Sequence, residues 1–351
     1  LGAIALNAGP SLTYLTGLHF HLMERPVVLL LVPGSPPTLV LPELESRKLE
    51  AVTSELCSFT YSEDPSTWAS VFQKAFALHP IAGGKIGAEP GQLRMLEYQL
   101  ICSAVSDCQL VDGSRCLSDL RSVKDEEELL LMRKAVSIAE DALKATLPLV
   151  KIGASERDLA NELVLQLLRH GSDPTLPFSP IVSSGPNSAN PHATPSARTI
   201  TPGDMLLIDW GARYHGYSSD LTRTFAIGEI DPEFETIYQA VREANRAGRQ
   251  AGRPGAPCSD IDNAARSVIE AAGYGRFFTH RTGHGIGMEC HEEPYIRSDN
   301  EQILEKGMTF TVEPGIYLAG RNGVRIEDDV IITADGAESI STYPRELQII
   351  C

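Results

Sequence analysis

Leu206–Phe225 reads LLIDWGARYHGYSSDLTRTF, two β-rich arms around a Tyr-His-Gly turn with one aspartate in each arm. Turn residues between apolar, β-branched runs predict a hairpin. With the turn centred on Tyr214-His215, Asp209 and Asp220 stand directly opposite each other. Opposed side chains in an antiparallel pair have Cβ atoms about 4.5–5.5 Å apart, where like charges repel. Two solvated carboxylates on an outer face are the plain reading of an acid pair. Here Asp209 sits between Ile208 and Trp210 in an apolar arm, and a buried, uncompensated pair is costly. A bound divalent cation removes the conflict.

A second hairpin, Met308 to Glu313 with Val324 to Ile332, repeats the oddity. Glu313 lies in MTFTVEPGIYL directly before Pro314, which favours extended backbone. Glu327 lies in GVRIEDDVII, again inside a β-branched arm. The Asn322-Gly323 turn predicts the hairpin, while the Pro314-Gly315 kink leaves its register open. His284 stands in GHGIG, Gly283 to Gly287. As a dinucleotide loop this has the wrong spacing and no clean preceding strand. A lone histidine is more often structural, but bare glycines permit close approach of backbone and ligand around the imidazole. Four carboxylates and one imidazole suit two divalent ions such as Mn²⁺, Co²⁺ or Zn²⁺ sharing bridging carboxylates, and suit Mg²⁺ or Ca²⁺ less.

Working outward, both hairpins close the same series of elements. Asp125 with Glu128 resembles a capping box opening a long helix towards Leu149. Ser155 with Asp158 starts a second helix that Gly171 ends. A Pro/Ser/Asn-rich loop, Asp173 to Pro195, is long enough to suggest function, and the first hairpin follows. Asp231-Pro232 then opens a helix towards Gly252 and Ser259 another towards Gly273; the Gly/His stretch 283–291 and the second hairpin come next. Two helices, a polar connection and a hairpin occur twice. Residues 123–351 are therefore expected to form a pseudo-duplicated α+β domain, with helices over one face of a curved antiparallel sheet. Residues 1–122 read as a smaller α/β domain. Its strands are expected at Val27 to Val32, Thr38 to Leu41, Ser58 to Tyr61 and Cys108 to Val111, and its helices at Pro42 to Glu55, Trp68 to Leu78 and Leu93 to Val105. It holds no catalytic cluster, so a supporting or dimerising role is expected.

The 351 residues are 42% apolar and 22% charged, with 30 basic residues against 46 acidic and a net charge of −16. That acidity argues against nucleic acid or an anionic membrane as partner. The longest aliphatic run, Val27 to Val32, falls far short of the roughly 20 residues a membrane span needs. No charged stretch leads into a signal-peptide core, and the start at Leu1 leaves room for residues before it. Seven scattered cysteines without a CxxC pair point to a reducing cytoplasmic setting and to small buried hydrophobes.

The ligand order Asp209, Asp220, His284 in GHGIG, Glu313 in VEPG and Glu327 in RIED resembles that of the pita-bread metallopeptidases, which include prolidase, aminopeptidase P, methionine aminopeptidase and metal-free creatinase. YLTG at Tyr14 to Gly17, GYSSDLTRTF and HEEP at His291 extend the likeness over nearly the whole chain. The resemblance implies a dinuclear centre, most often manganese, with cobalt or zinc as alternatives. Asp220 and Glu327 would bridge both ions, Asp209 would complete one site, and His284 with Glu313 the other. Glu313 would handle the proton of an attacking water. His192 and His291 resemble the family's non-ligand active-site histidines, which contact the substrate carbonyl. Arg325 resembles an arginine that supports a ligand or touches substrate; its plainer reading is an ion pair with Asp328 or Asp329. The added N-terminal domain implies the proline-specific branch and a homodimer. Cleavage of Xaa-Pro dipeptides is the first expectation, aminopeptidase P action on longer peptides the alternative, and a non-catalytic peptide-binding module a remote third.

Overall fold

The computed structural model describes residues 1–53 and 55–350. Ser54, within the segment expected as a helix from Pro42 to Glu55, and Cys351, the last cysteine and the end of the expected second domain, lie outside the described residues. The chain divides into two compact units, Leu1–Leu120 and Arg121–Cys351.

The first unit is built on a mixed sheet of β1 (Ala3–Asn7), β2 (Val28–Leu31), β3 (Thr38–Pro42), β4 (Cys57–Tyr61), β5 (Lys85–Ala88) and β6 (Gln109–Asp112), ordered β4-β3-β2-β1-β5-β6. Helices α1 (Pro10–Thr16), α2 (Trp68–Ala77), α3 (Met95–Ala104) and α4 (Ser114–Ser122) accompany it. The unbroken apolar run of β2 follows from burial on both faces. Val28 and Leu30 pack with Trp68, Phe72 and Phe76, whereas Leu29 packs with Leu6, Leu12 and Leu39. The segment expected as an α-helix from Pro42 is instead a 3-10 helix over Glu43–Ala51 with no buried residue. Leu49 packs, partly buried, against the core, a small face to dock, and docking is what stabilises short helices. The short strands β1 and β5 carry too little pattern to be anticipated.

The second unit repeats one order of elements. The first half holds α5 (Glu126–Thr146), α6 (Glu156–Arg169), β7 (Ile181–Ser184), β8 (Met205–Trp210), β9 (Arg213–Tyr214), β10 (Tyr217–Ser218) and β11 (Leu221–Ile227). The second half holds α7 (Pro232–Ala251), α8 (Cys258–Ala271), β12 (Gly283–Gly285), β13 (Glu292–Ile296), β14 (Thr309–Val312), β15 (Gly315–Tyr317), β16 (Gly323–Arg325), β17 (Asp328–Ile332) and β18 (Ala337–Ser339); β19 (Ile349–Ile350) follows. The sheets run β19-β11-β8-β7 and β13-β12-β14-β17-β18. The α5 capping box forms in both directions, Glu128 N to Asp125 Oδ1 at 2.9 Å and Asp125 N to Glu128 Oε2 at 2.7 Å. Ser155 and Asp231 cap α6 and α7. Helix α8 starts at Cys258 behind Pro257 rather than at Ser259. The long loop after Asp173 contains β7, paired with β8. No described helix is long and apolar enough to cross a membrane. The described cysteines are free; Cys258 is buried, but Cys116 is exposed, contrary to the expectation of a buried hydrophobe at every position.

Strand alternation decides where the acids of β8 point. Leu206, Ile208 and Trp210 pack among Val136, Leu163 and other side chains of α5 and α6. Trp210 is fully buried and donates Nε1 to Ala139 O at 2.8 Å. Asp209 therefore faces away from those helices. The hairpin register differs from the expected one: Tyr214 pairs with Tyr217, and Asp209 with Thr222. The turn centres on His215-Gly216, both with positive φ (48° and 86°). Such a turn matches strand twist, and its second position favours glycine. The two-residue shift preserves the face, so Asp209 and Asp220 are diagonal rather than direct neighbours.

The two hairpins meet at Thr222 and Glu327, which form an antiparallel bridge. Beside it, buried Arg223 donates to Glu327 O at 2.6 Å and Asp328 Oδ1 at 2.8 Å, and Arg345 donates to Asp328 Oδ2 at 2.6 Å. Burial raises the pKa of Asp328, but the Arg223 and Arg345 guanidiniums outweigh it and hold the carboxyl at about 2. Asp328→Asn should lower the second unit's stability by about 3–5 kcal/mol, because it strands buried cations; the denaturant midpoint reads this. The folded pKa lies below the unfolded one, so this contribution is complete above about pH 4. It disappears as pH falls through about 2, and the gap between wild type and variant should close over that window.

Candidate metal centre

Asp209 comes from the end of β8, Asp220 from the residue before β11, His284 from β12, Glu313 from just after β14, and Glu327 from just before β17. In the second hairpin Val312 pairs with Asp328 and Gly315 with Arg325. That register sets Glu313 across from Glu327, the pairing the sequence left open. The five side chains converge with His291. Donor atoms of Asp209, Asp220 and Glu327 lie within 4.8 Å of one another, as do those of His284, Glu313 and Glu327, and those of Asp220, His284 and His291. His284 Nε2 is 3.7 Å from Asp220 Oδ2 and 3.6 Å from Glu313 Oε1. The His284 and His291 rings are 4.0 Å apart.

Electrostatically the cluster is unfavourable as it stands. Burial, then Glu327 and Asp209, push the Asp220 carboxyl well above its ordinary pKa. Burial and Glu327 do the same to Glu313. Burial and Asp209 push Glu327 to about 8. Burial also raises Asp209, against the pull of Arg325, whose Nη2 donates to Asp209 Oδ2 at 2.6 Å. Burial, then His291, lowers His284 well below the usual imidazole value, leaving a neutral ring suited to a cation. Asp209 Oδ1 and Asp220 Oδ1 are buried without a hydrogen-bond partner among the described residues. Buried carboxylate oxygens without donors, beside a neutral imidazole, are the donor set that divalent transition ions take. The residues fit a metal.

The glycines around His284 have a different use from the one expected. A Cβ on Gly283 would lie 1.8 Å from Thr311 O, and one on Gly285 2.3 Å from Glu293 O. They admit the backbones flanking β12 rather than a ligand. Nor does Arg325 pair with Asp328 or Asp329. Its guanidinium goes to Asp209, and Asp328 is taken by Arg223 and Arg345. His192 and His291 are both exposed and both line the cavity above the cluster, of about 990 Å³.

Several neighbours escaped sequence reasoning. Thr222 donates to Glu327 Oε2 at 2.6 Å and Cys290 Sγ to Asp220 Oδ2 at 3.1 Å. Arg325 Nη1 donates to Tyr317 OH at 3.0 Å, and Tyr317 OH meets His280 Nε2 at 2.8 Å. His280 Nδ1 lies 2.7 Å from Arg281 O, so Nδ1 carries the proton and Nε2 accepts from the tyrosine. Burial, then Arg325, lowers His280 to about 4, consistent with that neutral form. The one available signal was His280-Arg281 standing directly before the glycine-rich stretch.

At pH 7 the metal-free cluster retains protons that a cation must displace. Adding Mn²⁺ to the stripped protein at pH 7 should release about one proton or more into weak buffer. Apparent affinity should rise as pH approaches the Glu327 value of about 8. Binding without proton release would contradict this electrostatic description.

Residues 130–334 match the model of metallopeptidase family M24, and residues 1–123 that of the creatinase/prolidase N-terminal domain. A putative dipeptidase, YkvY of Bacillus subtilis (strain 168), is 33% identical over 348 residues, covering 99% of this chain and 95% of its own. Among solved structures, a dipeptidase from Pyrococcus horikoshii OT3 superposes with a TM-score of 0.93 at 36% identity, over 100% of this chain and 96% of that one. A recombinant prolidase from Thermococcus sibiricus gives a TM-score of 0.92 at 35% identity, over 100% and 95%.

Proposed function

We propose that this chain, which belongs to metallopeptidase family M24, hydrolyses the Xaa-Pro bond of dipeptides with the help of two divalent ions, manganese first among them. The pita-bread metallopeptidase fold is the premise. The observation that carries the proposal is the buried cluster of four carboxyls and a neutral imidazole opening onto a cavity of about 990 Å³. That volume suits a short peptide. The dipeptidase and prolidase relatives support the substrate class.

Asp209, Asp220, His284, Glu313 and Glu327 would hold the ions. Metal ions held there would supply Lewis-acid chemistry, the acidification of a water and the polarisation of a carbonyl. Glu313 receives the proton of the attacking water. His291 and His192, on the cavity wall, donate to the carbonyl oxygen as it gains charge, and the proton taken up by Glu313 is handed on to the departing proline nitrogen, which returns Glu313 to its starting state. Arg325 fixes the direction of Asp209 through its 2.6 Å hydrogen bond and opposes the upward push of burial on that carboxyl. A dedicated site has a physical reason: the Xaa-Pro amide has no N–H and a fixed ring, so extended-strand recognition loses a hydrogen bond.

Chelator-stripped protein restored with Mn²⁺ should cleave an Xaa-Pro dipeptide faster than an Xaa-Pro-Xaa tripeptide. Preference for the tripeptide would assign aminopeptidase P activity, and cleavage of neither with Mn²⁺, Co²⁺ or Zn²⁺ would leave a binding module. Asp220→Asn should lose the metal-induced rise in melting temperature. His291→Ala should keep that rise but lose about 10²–10⁴ in turnover. The reverse pattern would exchange the two residues' roles.

A further inference from the structure

We propose that the Arg281 guanidinium receives the free C-terminal carboxylate of the dipeptide, making it the residue by which this site selects dipeptides. The inference rests on the dipeptidase reading and adds to it the means of recognising the chain end.

A dipeptide brings one group that an internal Xaa-Pro bond lacks, a full negative charge within one residue of the scissile bond. Two divalent ions would offset the four carboxylates of the cavity floor, Asp209, Asp220, Glu313 and Glu327, leaving no spare positive charge there for the chain end. A cation on the wall is then needed to pair with it, and the wall offers three. Arg325 is committed to Asp209 through Nη2 and to Tyr317 through Nη1. Arg213 lies on β9, in the turn region of the first hairpin. Arg281 stands two residues before β12, the strand that carries His284. Its guanidinium rests 4.4 Å over the Tyr295 ring, and among the described residues no carboxylate lies within ion-pair distance of it. Stacking on an aromatic face restrains an arginine while leaving its N–H edge free for an oxyanion. Its positive charge also bears on His284, His291 and Glu313, the groups gathered around the reacting carbonyl. A planar fork close to those groups matches carboxylate geometry.

The test compares an Xaa-Pro dipeptide with its C-terminal amide on the Mn²⁺-restored enzyme, using wild type, Arg281→Ala, Arg281→Lys and Arg213→Ala. Wild type should favour the acid. Arg281→Ala should raise KM for the acid about tenfold or more and KM for the amide by much less, collapsing the preference for the acid. Arg281→Lys should recover part of the preference, and Arg213→Ala should retain it. Loss of acid and amide cleavage in equal measure by Arg281→Ala, or loss of the preference in Arg213→Ala alone, would overturn the assignment. Calorimetric binding of proline against prolinamide separates this proposal from the dipeptidase reading. If wild type cleaves no Xaa-Pro substrate yet binds proline in an Arg281-dependent way, the anchor stands and the reaction assignment falls. If proline binding ignores Arg281, the anchor falls whatever the activity.

Discussion

Four carboxyl groups share one buried space in this protein, and they cannot all ionise there unless something positive is brought in. Only one of them, Asp209, has a permanent cation at hydrogen-bond distance, from Arg325. The others retain protons at values far above those of free carboxylic acids. The rest of the second unit serves to keep these groups together despite their repulsion. Two helix pairs cover the outer faces of the half-sheets, so strand alternation leaves the acids nowhere to turn but inward.

The join between the two hairpins lies directly beside the cluster. One backbone bridge, Thr222 to Glu327, crosses between them, and the Thr222 hydroxyl donates to the carboxylate of the same residue. Arg223 ties the first hairpin to the backbone of Glu327 and to Asp328. Asp328 is thus paired with guanidiniums from Arg223 and Arg345, whereas Glu327 beside it takes its hydrogen bond from a neutral hydroxyl. Asp328 and Glu327, adjacent in sequence, sit on opposite sides of that divide, one held at about 2 and the other at about 8.

Much of this could be read from the chain itself. The acids at 209, 220, 313 and 327 were conspicuous because each interrupts an apolar or β-branched arm, and the duplicated order of helices and hairpins follows from caps and turn residues. What stayed hidden was decided by backbone detail. The first register depended on His215 adopting a positive φ, which favoured a turn one position later than the aromatic pair suggested. The glycines beside His284 looked like room for a ligand because nothing local reveals that Thr311 and Glu293 press against them. The partner of Arg325 is open in the sequence for a similar reason: Asp328 and Asp329 lie near it in the chain, while the strand pairing delivers Asp209 from the other hairpin. His280 and Tyr317 form a chain to Arg325 across 37 residues, with no pattern to announce it.

The two tryptophans of the chain are divided between its two units. Trp68 lies 8% exposed in the first, and Trp210 is fully enclosed in the second. Trp210 is the residue next to Asp209, and its indole nitrogen is anchored to helix α5. Emission from this protein therefore has two separable origins, one reporting the N-terminal sheet and the other the strand that delivers an acid to the carboxyl cluster. With Trp68 replaced by phenylalanine, the remaining fluorescence becomes a monitor of the catalytic unit alone, sensitive to its unfolding and to any shift of β8 when charge is neutralised beside it.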